Sequence, residues 1–220
     1  IFMEVYQIVL LSILCLLIAF LAIIIIRTLL FKPNKNVEIS NESIEFDNEK
    51  VISNLQTLVK FKTVSNVNTE LEDDNEFDGF VDVLPKLYPN VFKICSLKKF
   101  DGRALLFKWE GKNHDKPSVM MSHYDVVPVD EEKWEKPPFS GIIEDGYLWG
   151  RGTLDTKVTF NGIFSAANYL ISKGFQPEND IYFAFSGGEE VNGKGAPNIV
   201  QYFVDHNIRP ALVVDEGGAV

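Results

Sequence analysis

The sequence predicts an α/β layered domain, with a mixed, largely parallel sheet flanked by helices, preceded by one transmembrane helix. Three observations carry that expectation. Three apolar runs each lead straight into side chains able to bind a metal: Val119-Met120-Met121 into Ser122-His123-Tyr124-Asp125, Phe183-Ala184-Phe185 into Ser186-Gly187-Gly188-Glu189-Glu190, and Leu212-Val213-Val214 into Asp215. Strand-like and helix-like segments alternate along the chain, which is the pattern of a layered sheet with helices packed on it. The stretch from Ile8 to Ile26 holds no charged residue, and only Ser12 and Cys15 interrupt its aliphatic character.

Composition narrows the function classes. The 220 residues are 46% hydrophobic, enough for one sizeable domain and an accessory segment. Lys and Arg total 21 against 31 Asp and Glu, a net charge of −10. Nucleic acid is therefore not an expected partner, because phosphate neutralisation needs clustered cations. The two cysteines, Cys15 and Cys95, cannot form a disulfide framework, and no CxxC zinc motif is present.

The elements follow in order. A bilayer core needs about 20 apolar residues in a helix, and the run around Ile8–Ile26 meets that length, so residues 5–31 are read as a transmembrane anchor. A signal peptide has a shorter apolar region, with small residues at the cut site that are missing here. Arg27, Lys32 and Lys35 follow the span and only Glu4 precedes it. That bias favours a cytoplasmic C-terminal side, while Asn41-Glu42-Ser43 matches a glycosylation sequon; the side of the membrane stays open. Residues 32–49 are polar and read as a linker, and residues 50–220 as the layered domain that would carry any site.

Within that domain Val51, Leu55, Leu58 and Val59 fall at helical spacing, giving a helix to about Phe61. A second helix is expected over Glu76 to Leu87. Val91 to Leu97 and Arg103 to Trp109 read as strands about the turn Phe100-Asp101-Gly102, followed by a strand over Ser118–Ser122. Thr156 to Lys173 reads as a long helix stopped near Gly174. A strand over Asp180–Phe185, a helix from about Pro197 to Asp205 and a strand over Ala211–Val214 complete the alternation. His123, Glu189, Glu190 and Asp215 all fall at strand ends, where open α/β sheets bind their ligands.

One imidazole with several carboxylates suits zinc or a similar divalent ion better than calcium or magnesium. A coordinating His donates its other ring N–H to an orienting group, and Asp125 is placed for that. Asp155 has two oxygens with which to bridge two ions. Glu189 and Glu190 point apart on their Gly-Gly turn, so one can ligate while the other handles a proton. Singly, each residue has a plainer reading: a satisfied polar His, turn or helix caps, a solvated acidic pair. Glu216 rivals its neighbour Asp215, and His114 and His206 read as exposed. The convergence at three strand ends favours the site.

The same residues carry a resemblance. Ser122-His123-Tyr124-Asp125-Val126-Val127-Pro128-Val129, Trp134 with Pro137-Pro138-Phe139-Ser140-Gly141, Gly146-Tyr147-Leu148-Trp149-Gly150-Arg151-Gly152-Thr153-Leu154-Asp155-Thr156-Lys157, Ser186-Gly187-Gly188-Glu189-Glu190 and Val214-Asp215-Glu216-Gly217-Gly218 resemble the zinc aminoacylase and carboxypeptidase family. The wording is most similar to the carboxypeptidase S branch, which includes hydrolases of N-fatty-acyl amino acids. The resemblance implies two zinc ions, with cobalt or manganese as substitutes. It implies that His123 and Asp215 ligate one ion, Asp155 bridges both and Glu190 ligates the other. It further implies that Asp125 orients His123, and that Glu189 is the general base and later the proton donor. Arg151, Lys157 and Trp134 match its wording without an assigned role.

The family's final His ligand and its lid and dimerisation domain have no counterpart before Val220, so the chain is expected to be an N-terminal fragment, with any homodimer formed through that lid. The expected activity is metal-dependent hydrolysis of the amide bond in N-acyl amino acids or short peptides with a free C-terminal carboxylate. The competing expectation is a non-catalytic metal-binding or interaction domain. A nucleotide-binding domain is excluded, since no GxGxxG or GxxxxGK[ST] lies between a strand and a helix.

Overall fold

Apolar runs buried on both sides place a five-stranded sheet at the centre of residues 45–217, with helices on both faces. In a computed structural model the residues described are 4–32 and 44–217. The chain divides into two units, Ile1–Ile44 and Glu45–Val220. The first contains helix α1, Val5–Leu30, with no buried residue. It is long and apolar enough to cross a membrane by length and composition. Most of the expected linker, residues 33–43, lies outside the described residues, as does the sequon at Asn41.

The second unit begins with α2, Asn48–Val59, whose first turn is capped by the Asp47 carboxylate accepting from the Lys50 N–H. Helix α3, Asp74–Leu87, and the short α4, Pro89–Ile94, follow. Strands β1, Ser96–Phe100, β2, Ala104–Trp109, and β3, Asn113–His123, come next. A small hairpin of β4, Ile142–Glu144, and β5, Tyr147–Trp149, precedes α5, Lys157–Ser172. Then come β6, Asn179–Ser186, α6, Gly195–Asp205, and β7, Leu212–Val214.

The main sheet runs β1-β2-β6-β3-β7. The β1/β2 and β2/β6 pairs are antiparallel, whereas β6/β3 and β3/β7 are parallel. Successive residues of a strand face opposite sides, and both sides are filled. Leu105, Phe107, Trp109, Phe183 and Phe185 pack on Phe160 and Phe164 of α5 and on Phe77, Phe80 and Leu84 of α3. On the other face Leu106, Val119, Tyr182 and Ala184 meet Ile199 and Phe203 of α6. Burial on both faces is why β2 and β6 read as continuous apolar runs rather than alternating ones.

One local expectation is corrected, and one element is new. Val91–Leu97 is not one strand: residues through Ile94 are helical, and the strand begins only at Ser96. Pro89 occupies the first turn of that helix, where its fixed φ is suited. Its turn buries Val91 completely in the aromatic core, so tertiary packing outweighs the β-propensity of Val91, Phe92 and Ile94. The β4–β5 hairpin was not anticipated. Its turn is Asp145-Gly146, with φ of 52° and 81°, the two positive values a tight hairpin turn requires.

Candidate metal centre

Strands β6, β3 and β7 are adjacent and parallel, so their carboxyl ends open on one edge of the sheet. His123 is the last residue of β3. Glu189 and Glu190 form a single turn just past β6, and Asp215 and Glu216 follow β7. Asp155 arrives from the loop ahead of α5.

His123 is the centre of the cluster and is only 2% exposed. Its Nε2 lies 3.0 Å from Asp155 Oδ1, 3.5 Å from Glu216 Oε1 and 3.8 Å from Glu189 Oε2. Two triads share it: His123, Asp155 and Glu190, and His123, Glu189 and Glu216, each with ligand atoms within 4.8 Å of one another. Asp215 belongs to neither triad. Its Oδ1 accepts the Glu216 N–H at 2.9 Å, although it lines the same cavity of about 510 Å³ as His123, Glu189 and Glu216. The residue that the sequence treated as a rival, Glu216, thus stands nearer the imidazole. His114 pairs with Asp180 at the opposite end of the sheet, and His206 bonds the Tyr202 carbonyl.

Asp125 braces the cluster from beneath and is fully buried. Its backbone oxygen is 3.0 Å from His123 Nδ1, nearer than its carboxylate Oδ1 at 3.4 Å. The carboxylate chiefly serves the acidic turn: Oδ1 accepts the Glu189 N–H at 3.1 Å and Oδ2 the Glu190 N–H at 3.2 Å. The Ser65 hydroxyl donates to Oδ2 at 2.7 Å, a partner invisible in the sequence because it lies 60 residues away. Burial would raise the Asp125 pKa, but the donors from His123, Ser65 and Glu189 hold it below the usual value. Burial likewise opposes a charge on His123, yet Asp125, Glu216 and Asp155 lift its pKa to about 9. Burial pushes the Glu190 and Glu216 carboxyls up, and the charge of Asp155 adds to this.

Lys157, unassigned from sequence, is completely buried. Its ammonium donates to the carbonyls of Leu58 at 3.1 Å and Phe61 at 2.7 Å, at the C-terminal end of α2 where a cation is favoured. Burial drives its pKa down to about 7, against the pull of Glu76 and Asp125. It therefore ties the Asp155 loop to the first helix of the domain. Gly152 permits that loop: its φ is +85°, and a Cβ there would come within 2.9 Å of Val126 Cγ1. Gly187 permits the acidic turn, since a Cβ would lie 2.6 Å from the Tyr124 ring.

An imidazole braced on its far nitrogen and surrounded by carboxylates is a donor set that fits a borderline divalent ion. Fold and site together define an α/β domain with a metal-ligand cluster at its strand ends. Residues 119–219 match the family described as Peptidase family M20/M25/M40. The chain is 33% identical over 213 residues to the N-fatty-acyl-amino acid synthase/hydrolase PM20D1 of Xenopus tropicalis, covering 93% of this chain and 41% of that protein. It is 37% identical over 215 residues to the probable carboxypeptidase S-like 2 of Dictyostelium discoideum, covering 92% and 41% respectively. The crystal structure of human carnosine dipeptidase 1 has a similar fold, with a TM-score of 0.65 at 16% identity over 78% of this chain and 39% of that one. The chain thus spans about two fifths of the length of these relatives.

Proposed function

We propose that this chain forms the metal-binding part of a metal-dependent hydrolase that cleaves the amide bond of N-acyl amino acids or short peptides with a free C-terminal carboxylate. The observation that carries this reading is the convergence of His123, Asp155 and Glu190 into one ligand-sized cluster at the sheet edge. The names of the two relatives support the substrate class. His123, Asp155 and Glu190 would hold metal, with two zinc ions the favoured occupants and cobalt or manganese as substitutes. The β7 end would supply a further carboxylate, with Glu216 geometrically favoured over Asp215. Zinc, when bound, supplies Lewis-acid activation of a carbonyl group and of water.

The chain's own residues then divide the remaining work. Glu189 has a side chain 54% exposed, with Oε2 close to the imidazole. It accepts a proton from the attacking water on a carboxylate oxygen and returns it to the departing amine. Asp125 keeps the acidic turn and the His123 ring in fixed relation. Helix α1 would anchor the protein as a single-pass span: its 26 residues give a length of about 39 Å, against about 30 Å for a bilayer core.

The test is Glu189→Gln in the full-length protein. It should keep its metal and fold and lose turnover by about 10²–10⁴-fold. Wild-type turnover in that variant would refute the assignment, and stoichiometric metal without any amide hydrolysis by the unmutated protein would favour a non-catalytic metal-binding domain.

A further inference from the structure

The segment Thr63-Val64-Ser65, just after α2, lies along Tyr124-Asp125-Val126. Val64 and Val126 form a parallel bridge. The Val126 N–H donates to the Thr63 carbonyl at 2.9 Å, and the Ser65 N–H to the Val126 carbonyl at 3.1 Å. The Thr63 hydroxyl donates to the Tyr124 carbonyl at 2.6 Å. Thr63 and Ser65 are both completely buried, so the segment is held on every side before Ser65 reaches Asp125.

An ionised carboxylate has about four lone-pair positions, and three donors reach that of Asp125, with the His123 ring beside it. Oδ1 accepts the Glu189 N–H and lies 3.4 Å from His123 Nδ1; Oδ2 accepts the Glu190 N–H and the Ser65 hydroxyl. Three of these four contacts come from the metal-binding elements themselves. Among the described residues Ser65 alone comes from outside them, and its 2.7 Å contact is the shortest of the four. Without it, Oδ2 retains only the Glu190 N–H at 3.2 Å, and the carboxylate can turn about its own bond. Such a turn would move the Glu189-Glu190 backbone relative to His123, because all three are referenced to this one group.

We infer that Ser65 is a positioning residue for the metal centre, acting through Asp125. The inference rests on the metal-centre reading above and names the residue that fixes its orientation. The experiment is a double-mutant cycle in the full-length protein, using Ser65→Ala, Asp125→Asn and the double variant. Zinc affinity is measured by chelator competition, and the absorption spectrum of the cobalt(II) form is recorded. Circular dichroism checks folding, and Ser65→Gly replaces the alanine variant should that one not fold.

The expected result for Ser65→Ala is zinc affinity about 10–100-fold weaker, with an altered cobalt spectrum. Ser65→Thr, which keeps the hydroxyl, should recover the affinity. In the Asp125→Asn background, removing the Ser65 hydroxyl should add little. Wild-type affinity and an unchanged cobalt spectrum in Ser65→Ala would overturn the inference, and so would an effect that persists undiminished beside Asp125→Asn. Failure of the unmutated protein to bind zinc would instead bring down the metal-centre reading itself.

Discussion

Asp180→Asn removes one negative charge at the end of the sheet remote from the metal centre, where β2, β3 and β6 begin or finish. The carboxylate is 2% exposed and draws on residues of or beside all three strands. It accepts the Gly111 N–H at 2.8 Å, lies 3.1 Å from Lys108 Nζ, and is 2.9 Å and 3.0 Å from His114 Nδ1 through its two oxygens. An asparagine can keep the Gly111 bond through its carbonyl oxygen, but its amide N–H₂ then faces the Lys108 ammonium, donor against donor. Losing one partner of a fully buried pair costs about 3–5 kcal/mol, and of an exposed pair at most about 1 kcal/mol. Lys108 is 27% exposed and His114 64%, so the loss should fall between, at about 2 kcal/mol. For a domain of this size that lowers Tm by about 4–8 °C.

Burial would raise the Asp180 pKa, but the Gly111 N–H, His114 and Lys108 outweigh it and hold the carboxyl below its usual value. Such a group contributes stability above its unfolded pKa of about 3.9, and that contribution is lost as pH falls through the lower folded value. Urea denaturation of both proteins from pH 7 to pH 3 should show a constant difference above about pH 5 that begins to shrink below about pH 4. A difference under about 0.5 kcal/mol at pH 7, within the ordinary scatter of surface changes, would refute the charge argument. So would a gap that widens as the pH is lowered.

Lys157→Met deprives two carbonyls at the end of α2 of their donor; a stability loss of about 1–3 kcal/mol, with weaker zinc binding, is expected in thermal melts and metal titrations. Gly152→Ala forces a side chain into a left-handed position against Val126; it should cost about 1–3 kcal/mol and impair metal binding, both measurable on the purified variant. Deleting Val5–Leu30 should move the protein from the membrane to the soluble fraction in a flotation assay, while the circular dichroism of the remaining domain keeps its mixed helix and sheet character.

The strand ends were legible because burial on both faces writes β3 and β6 as apolar runs, and a run must stop where a charged ligand begins. The long helices showed for a similar reason: Phe160, Phe164 and Ala167 mark one face of α5. Val91–Leu97 misled because a six-residue helix is too short for its period to outweigh β-branched and aromatic composition. Asp215 and Glu216 are adjacent carboxylates, so composition does not record which of them stands nearer the imidazole. Ser65 and Lys157 were unreadable for another reason. Their roles consist of hydrogen bonds to partners 60 and about a hundred positions away, and a hydroxyl or ammonium gives no local sign of where its acceptor lies.

His123 is shared between the Asp155 and Glu190 carboxylates and that of Glu216, with an unequal outcome for whatever fills the site. One ring nitrogen faces the Asp125 carbonyl, so the other offers a single lone pair to both sets of carboxylates. Whichever seat claims that lone pair becomes the softer, nitrogen-bearing one. Its neighbour is left with oxygen alone among the described residues, a harder environment that zinc favours less. On the two-ion reading proposed above, loading should proceed in two stages of different strength, and the weaker seat should exchange its occupant first under a chelator.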